Sequence, residues 1–169
     1  MFKINDYVVY KRNVCIIKDI SINKFCKKEC YILIPIDDSS LKITVPVELG
    51  DSEIRSIISK KEVHNIISNI SNIDVINVVN DKTVENEYKK HLDEFSHENL
   101  IKIIKTTYLR NKLRIDSKKK ISEKDDMYFK MAEKLLYTEF SIVLNLSYDE
   151  TKKYVISKVK ESSDNNEEY

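Results

Sequence analysis

Cys26 and Cys30, four residues apart, are the nearest this chain comes to a pair of metal ligands. A structural zinc site needs four ligands at recognisable spacings, and the other half is missing. Cys15 stands alone, and His64, His91 and His97 pair with neither a cysteine nor an HExxH motif. No metal and no cofactor is expected. A loop that cradles phosphates needs glycine at several backbone positions, and Gly50 is the single glycine. Ser, His and Asp are scattered with no activating context for a nucleophile. The residue types therefore point away from an enzyme.

The densest charge is basic. It runs through Lys102, Lys105, Arg110, Lys112, Arg114, Lys118, Lys119, Lys120 and Lys124, with Asp116 and Glu123 the acids among them. Tyr108, Leu109, Leu113 and Ile115 interleave with it, so one face could cover a core while the other meets phosphates. A solvated helix face is the plainer reading of the same charges. Lys89, Lys90 and His91 make a second, smaller group.

The elements that must position these groups fall into two halves. The chain has 169 residues, 41% of them hydrophobic, enough to support a packed core. Its 29 basic and 28 acidic residues leave a net charge of +1, so any attraction to nucleic acid must be local. No apolar run is long enough to span a membrane and the start does not read as a signal peptide, so a soluble, cytoplasmic protein with free thiols is expected.

Over the first fifty residues, Tyr7-Val8-Val9-Tyr10, Val14-Cys15-Ile16-Ile17, Tyr31 to Ile36 and Leu41 to Val47 are short runs rich in Val, Ile and Tyr. They predict antiparallel strands in a small barrel or curled sheet, with a turn over 37–40. Pro46 predicts that the last strand lies at an edge, because proline cannot donate to a ladder. Lys42 and Thr44 then share the face opposite Ile43 and Val45.

After Gly50 the apolar period becomes helical: Val63, Ile66, Ile67 and Ile70; Tyr88, Leu92 and Phe95; Leu100, Ile103, Ile104, Thr107 and Tyr108; and Met127 to Leu144. Within the last stripe, Met131, Leu135, Leu136 and Phe140 are expected in the core. Ser59, Ser96, Ser122 and Ser147 are the candidate N-caps, the last two followed at the third residue by Asp125 and Glu150. The fold class is thus α+β: an antiparallel β domain over 1–50, a compact all-α domain of about five helices over 51–160, and a disordered tail over 161–169.

Phe2-Lys3-Ile4-Asn5-Asp6-Tyr7-Val8-Val9-Tyr10, Thr44-Val45-Pro46-Val47, Ile54-Arg55-Ser56, Tyr88-Lys89, Ile103-Ile104 through Arg110, and Ala132 to Leu136 with Glu139 form an ordered series. Over residues 1 to about 146 that series resembles CarD-type transcription regulators. The resemblance implies a Tudor-like β-barrel shared with the transcription-repair coupling factor, which docks on the β subunit of RNA polymerase. It also implies a helical domain that faces promoter DNA and stabilises the open complex. Lys42, Thr44 and Pro46 are then the polymerase-binding residues, with Thr44 where the family commonly carries arginine. Val84 stands where familiar members place a tryptophan wedge, and Asn86 and Glu87 where they place basic residues. The DNA contacts left are Lys89, Lys90, Lys112, Arg114, Lys118, Lys119 and Lys120, binding weakly and with little sequence preference. A monomer at the nucleoid is implied. The alternative is a polymerase-binding adaptor that has lost contact with DNA.

Overall fold

The computed structural model describes residues 1–78, 80–94 and 96–164, apart from the side chains of Asp51 and 162–164. Its compact units are Met1–Ile58 and Ser59–Tyr169. The first is an antiparallel sheet of β1 (Tyr7–Tyr10), β2 (Asn13–Ile22), β3 (Glu29–Pro35), β4 (Ile43–Pro46) and β5 (Ile54–Ser56), in the order β4-β3-β2-β1-β5. A 3-10 turn, Val47–Leu49, and a single helical turn, α1 (Gly50–Glu53), lie between β4 and β5. Beyond Gly50, where the sequence suggested a domain boundary, the chain returns to the sheet: Ile54 pairs with Tyr10 and is buried, so the unit runs on to Ile58. β4 and β5 are the two edges. Among the described residues no ladder joins them, and the closure expected of a barrel is not seen.

Val8, Cys15, Ile17, Tyr31, Leu33, Val45 and Ile54 form the core on one face of the sheet. Strand alternation would send Ile17 and Ile20 to opposite faces, yet Ile20 also packs on this core. The register shift between Ile17 and Asp19 resolves the conflict, because a bulge at Lys18 restores Ile20 to the inner side.

Gly50 is required for space rather than conformation, since its φ is an ordinary −55°. A Cβ there would lie 2.7 Å from Cε2 of Tyr31. That ring is 1% exposed, and its hydroxyl accepts from the Phe2 amide at 3.2 Å, so it has little room to yield. Gly50→Ala should therefore cost about 1–3 kcal/mol, as overpacking does. Chemical denaturation measures this, and an unchanged midpoint would show that the ring moves freely.

The second unit consists of α2 (Lys60–Asn69), α3 (Val84–Glu94), α4 (His97–Asp116), α5 (Glu123–Leu144) and α6 (Tyr148–Asp164). Each predicted serine starts a helix. Ser59 and Glu62 form a reciprocal capping box for α2. Ser96 and Ser122 accept from the amides of Asn99 and Asp125. Ser147 and Glu150 repeat the reciprocal arrangement before α6. With almost no glycine, left-handed positions fall to other residues: Asn145 ends α5 at φ 55°, and Lys118 follows α4 at φ 57°.

Val63, Ile67, Tyr88, Leu92, Leu100, Ile103, Ala132, Leu136, Phe140 and Val155 fill the helical core. In α5 the expected stripe is corrected: Leu136 and Phe140 are buried, Leu135 is half-buried, and Met131 is 37% exposed. Helical geometry accounts for this, because Ala132, Leu136 and Phe140 repeat every four residues and leave Leu135 and Met131 at the margin. The cost of about 2–5 kcal/mol expected for a buried leucine therefore belongs to Leu136→Ala, and Leu135→Ala should cost clearly less in the same denaturation experiment. Phe95 lies outside the described residues. The tail expected from Glu161 is helical through Asp164, and the remainder lies outside them too.

Candidate functional site

In the sheet unit β4 is one of the two edge strands. Its register against β3 pairs Ile43 with Leu33, Thr44 with Ile32, Val45 with Tyr31 and Pro46 with Cys30. Val45 is buried and Ile43 packs on the core, while Thr44 is exposed on the opposite face. Lys42 is exposed and immediately precedes the strand. Pro46, half-buried, ends it. The edge has an open row of backbone groups on its far side, the geometry that accepts an added strand. Lys28 and Glu48 form an ion pair between the start of β3 and the turn after β4.

In the helical unit the basic run separates into two kinds of residue. Lys105 is structural: its ammonium donates to the carbonyls of Ile70 at 3.0 Å and Ser71 at 3.2 Å, and also to that of Ile73. These carbonyls belong to the 3-10 turn Ile70–Asn72 that follows α2 and to Ile73 just beyond it, a place near a helix C-terminus where a cation is favourable. Arg110 is structural as well. Its Nε donates to Asp125 at 3.0 Å and its Nη2 to Asp81 at 2.8 Å, while Asp125, fully buried, also accepts from the Tyr88 hydroxyl at 2.9 Å. Burial alone would lower the Arg110 guanidinium; Asp81 and Asp125 outweigh it and hold it raised. Burial first, then the Asp125 carboxylate, pushes the Tyr88 phenol up. Lys102 pairs with Glu98 at 2.6 Å, and Arg114 donates from Nε to the Lys120 carbonyl at 2.8 Å, closing the connection from α4 to α5.

Lys112, Lys118, Lys119 and Lys120 remain exposed, and among the described residues none of the four is in an ion pair. They lie on the last turns of α4 and the connection that follows. Tyr108, Leu113 and Ile115, expected to help cover the core, are instead 56%, 66% and 58% exposed beside them. The groove between this surface and α5 holds about 300 Å³ and is lined in part by Tyr108, Lys112, Ile115, Ile121 and Phe129.

The α3 group is differently placed. Val84 is 2% exposed at the first turn, so its side chain faces the core and not solvent. Lys89 is bound to Glu85 at 2.9 Å, and Glu85 also meets Lys124 at 3.1 Å. The Glu85 carboxyl is held below its usual range by Lys89 first and Lys124 second. Lys90 is exposed. The structure thus gathers the four lysines after Tyr108 into one surface and leaves Lys89 and Val84 occupied elsewhere. The roles of Lys105 and Arg110 had no signal in the sequence beyond their charge.

Among the described residues no three His, Cys, Asp or Glu side chains cluster as metal ligands, and no helix is long and apolar enough to cross a membrane. His97 instead bonds the buried Glu139 at 2.9 Å, and His91 Nδ1 lies 2.9 Å from the Glu87 carbonyl oxygen.

No curated protein matches the chain. Residues 2–58 match the family model described as the CarD-like/TRCF RID domain, a domain associated with RNA polymerase interaction in transcription. The match covers all of the compact sheet unit, Met1–Ile58, except its first residue, and includes the edge strand β4. The sheet unit of this chain is accordingly a CarD-like/TRCF RID domain.

Proposed function

We propose that the chain is a bacterial transcription regulator without catalytic activity, acting as a monomer in the cytoplasm. Its sheet unit holds the β subunit of RNA polymerase, and its helical unit touches promoter DNA and shifts the stability of the open complex. The observation that carries the reading is the RID match over an intact antiparallel sheet whose β4 edge is unpaired on one side. Strand addition uses such an edge: main-chain hydrogen bonds supply affinity, and alternate side chains, here Lys42 and Thr44, supply specificity. Regulation in this form is differential binding, so the open state gains only as much as the factor prefers it.

The DNA contact rests on Lys112, Lys118, Lys119 and Lys120, with Arg114 beside them in the chain, Lys90 as a separate exposed cation on α3, and Tyr108 as an exposed ring able to stack on a base. With Val84 in the core and Lys89 held by Glu85, contact through α3 is weak. If about four lysines engage phosphates, the logarithm of DNA affinity should fall against the logarithm of salt with a slope of about −3.6. Those same two observations favour a second reading, a polymerase-binding adaptor without DNA contact. Gel mobility of a forked promoter bound to polymerase, with and without the protein, decides between them. A further retardation that weakens with salt supports DNA contact; mobility identical for the wild type and a variant with all four lysines changed to alanine supports the adaptor.

A further inference from the structure

The groove beside Tyr108 and Phe129 leads into a larger one, which holds about 510 Å³ between α4, α5 and α6. Ile101 and Ile104 of α4, Leu136 of α5, and Val155 and Val159 of α6 supply aliphatic walls. Two contacts fix its direction: the rings of Tyr137 and Tyr148 meet at 5.9 Å, and Glu133 pairs with Lys152 at 2.8 Å. α5 and α6 therefore run antiparallel, and one turn farther on Phe129 comes opposite Ile156. Glu133 and Lys152 close one end of the groove. Lys160 marks the other, about 12 Å along α6 at the rise of an α-helix.

The charged groups along the way are already engaged. Glu133 and Lys152 hold each other, and Lys105 turns its ammonium to the carbonyls of 70–73. A water molecule needs about two to four polar partners, so walls of this kind hold it poorly, and a packed interior rarely leaves so large a gap. The volume falls within the range of about 300–1,000 Å³ typical of ligand sites, which are mainly apolar with a few placed polar groups. The charge left over is positive. Lys160 is exposed and in no ion pair among the described residues, and Lys112 is likewise free on the adjoining groove that shares Tyr108 and Phe129. Asp126, the acid on that adjoining groove, is bound to Lys130 at 2.7 Å.

We propose that this groove binds an elongated amphipathic carboxylate, its hydrocarbon chain lying between α4, α5 and α6 and its head at Lys160. The chain displaces poorly held water and meets aliphatic side chains along its length. The paired Lys152 offers the head nothing at the closed end, whereas Lys160 and Lys112 attract it at the open end and remain in solvent. Binding there needs neither polymerase nor DNA.

The test titrates the full chain with decanoate, below the concentration at which it forms micelles, and with decanol as the uncharged counterpart. Heat and the methyl resonances of labelled isoleucine and valine are read. Decanoate should bind once per chain, at least about tenfold more tightly than decanol, with shifts centred on Ile101, Ile104, Ile156 and Val159. Lys112→Ala together with Lys160→Ala, both at exposed positions, should remove that advantage and leave decanol binding unchanged. Val159→Phe narrows the groove and should weaken both ligands; Ile156→Trp, at a 42% exposed position, should do the same without loading the core. The proposal is overturned if neither ligand binds, if the two bind alike, or if the shifts fall on the sheet unit. It is equally overturned if the same methyls shift when protein concentration alone is raised, which gives the groove to a second copy of the chain.

Discussion

Asp125→Ala should be among the most damaging single substitutions in the helical unit, at about 3–5 kcal/mol. The carboxylate is fully buried and serves two donors from different helices, the Tyr88 hydroxyl of α3 and Nε of Arg110 of α4. Its own amide is the group capped by Ser122 at the start of α5. Alanine retains that amide and the helix, so the loss isolates the side-chain network. What remains is a guanidinium with Asp81 as its other carboxylate and a buried hydroxyl without its acceptor. Removing one partner of a buried charged pair costs more than the pair contributes, because the survivor stays desolvated. Tyr88→Phe deletes one neutral donor and should cost only about 1 kcal/mol. Urea denaturation of both variants and of the double variant gives the coupling between them. A loss for Asp125→Ala within about 0.5 kcal/mol, the range of ordinary surface changes, would show that the network is not buried as described.

The second large effect concerns polymerase. Lys42→Glu together with Thr44→Glu should weaken binding to the polymerase by at least tenfold, about 1.4 kcal/mol, while leaving the fold unchanged. Both side chains are exposed, and the inward residues of the strand, Ile43 and Val45, are untouched. The substitutions reverse one charge and add another on the outer face of the edge strand, where a docked strand must approach within about 5 Å. Circular dichroism and the denaturation midpoint should match the parent. Binding equal to that of the parent, in a folded variant, would move the interface away from β4.

Features set by neighbours within a few residues could be read from the sequence. The four serine caps are satisfied by amides three residues on, and Pro46 marks an edge because of its own missing donor. The alternation of Ile43, Thr44 and Val45 likewise follows from strand geometry alone. Features that depend on distant partners could not. Lys105 and Arg110 look like members of a basic surface until the carbonyls of 70–73 and the carboxylates of Asp81 and Asp125 are brought to them. The bulge at Lys18 shifts strand parity without any glycine to announce it. Leu109 and Leu113 are apolar but fall on the side of α4 away from Leu100, Ile103 and Thr107, so they remain exposed. Val84 shows the limit of matching positions by resemblance: the chain supplies a small residue there, and the fold buries it.

The most direct test of the central claim is the affinity of purified RNA polymerase for the full chain, for residues 1–58 and for residues 59–169. The first boundary includes β5, whose Ile54 completes the sheet core. Residues 1–58 should retain the polymerase affinity of the full chain to within a few-fold, and residues 59–169 should show none at comparable concentration. Binding carried by residues 59–169, with a folded 1–58 unit that does not bind, would contradict the assignment.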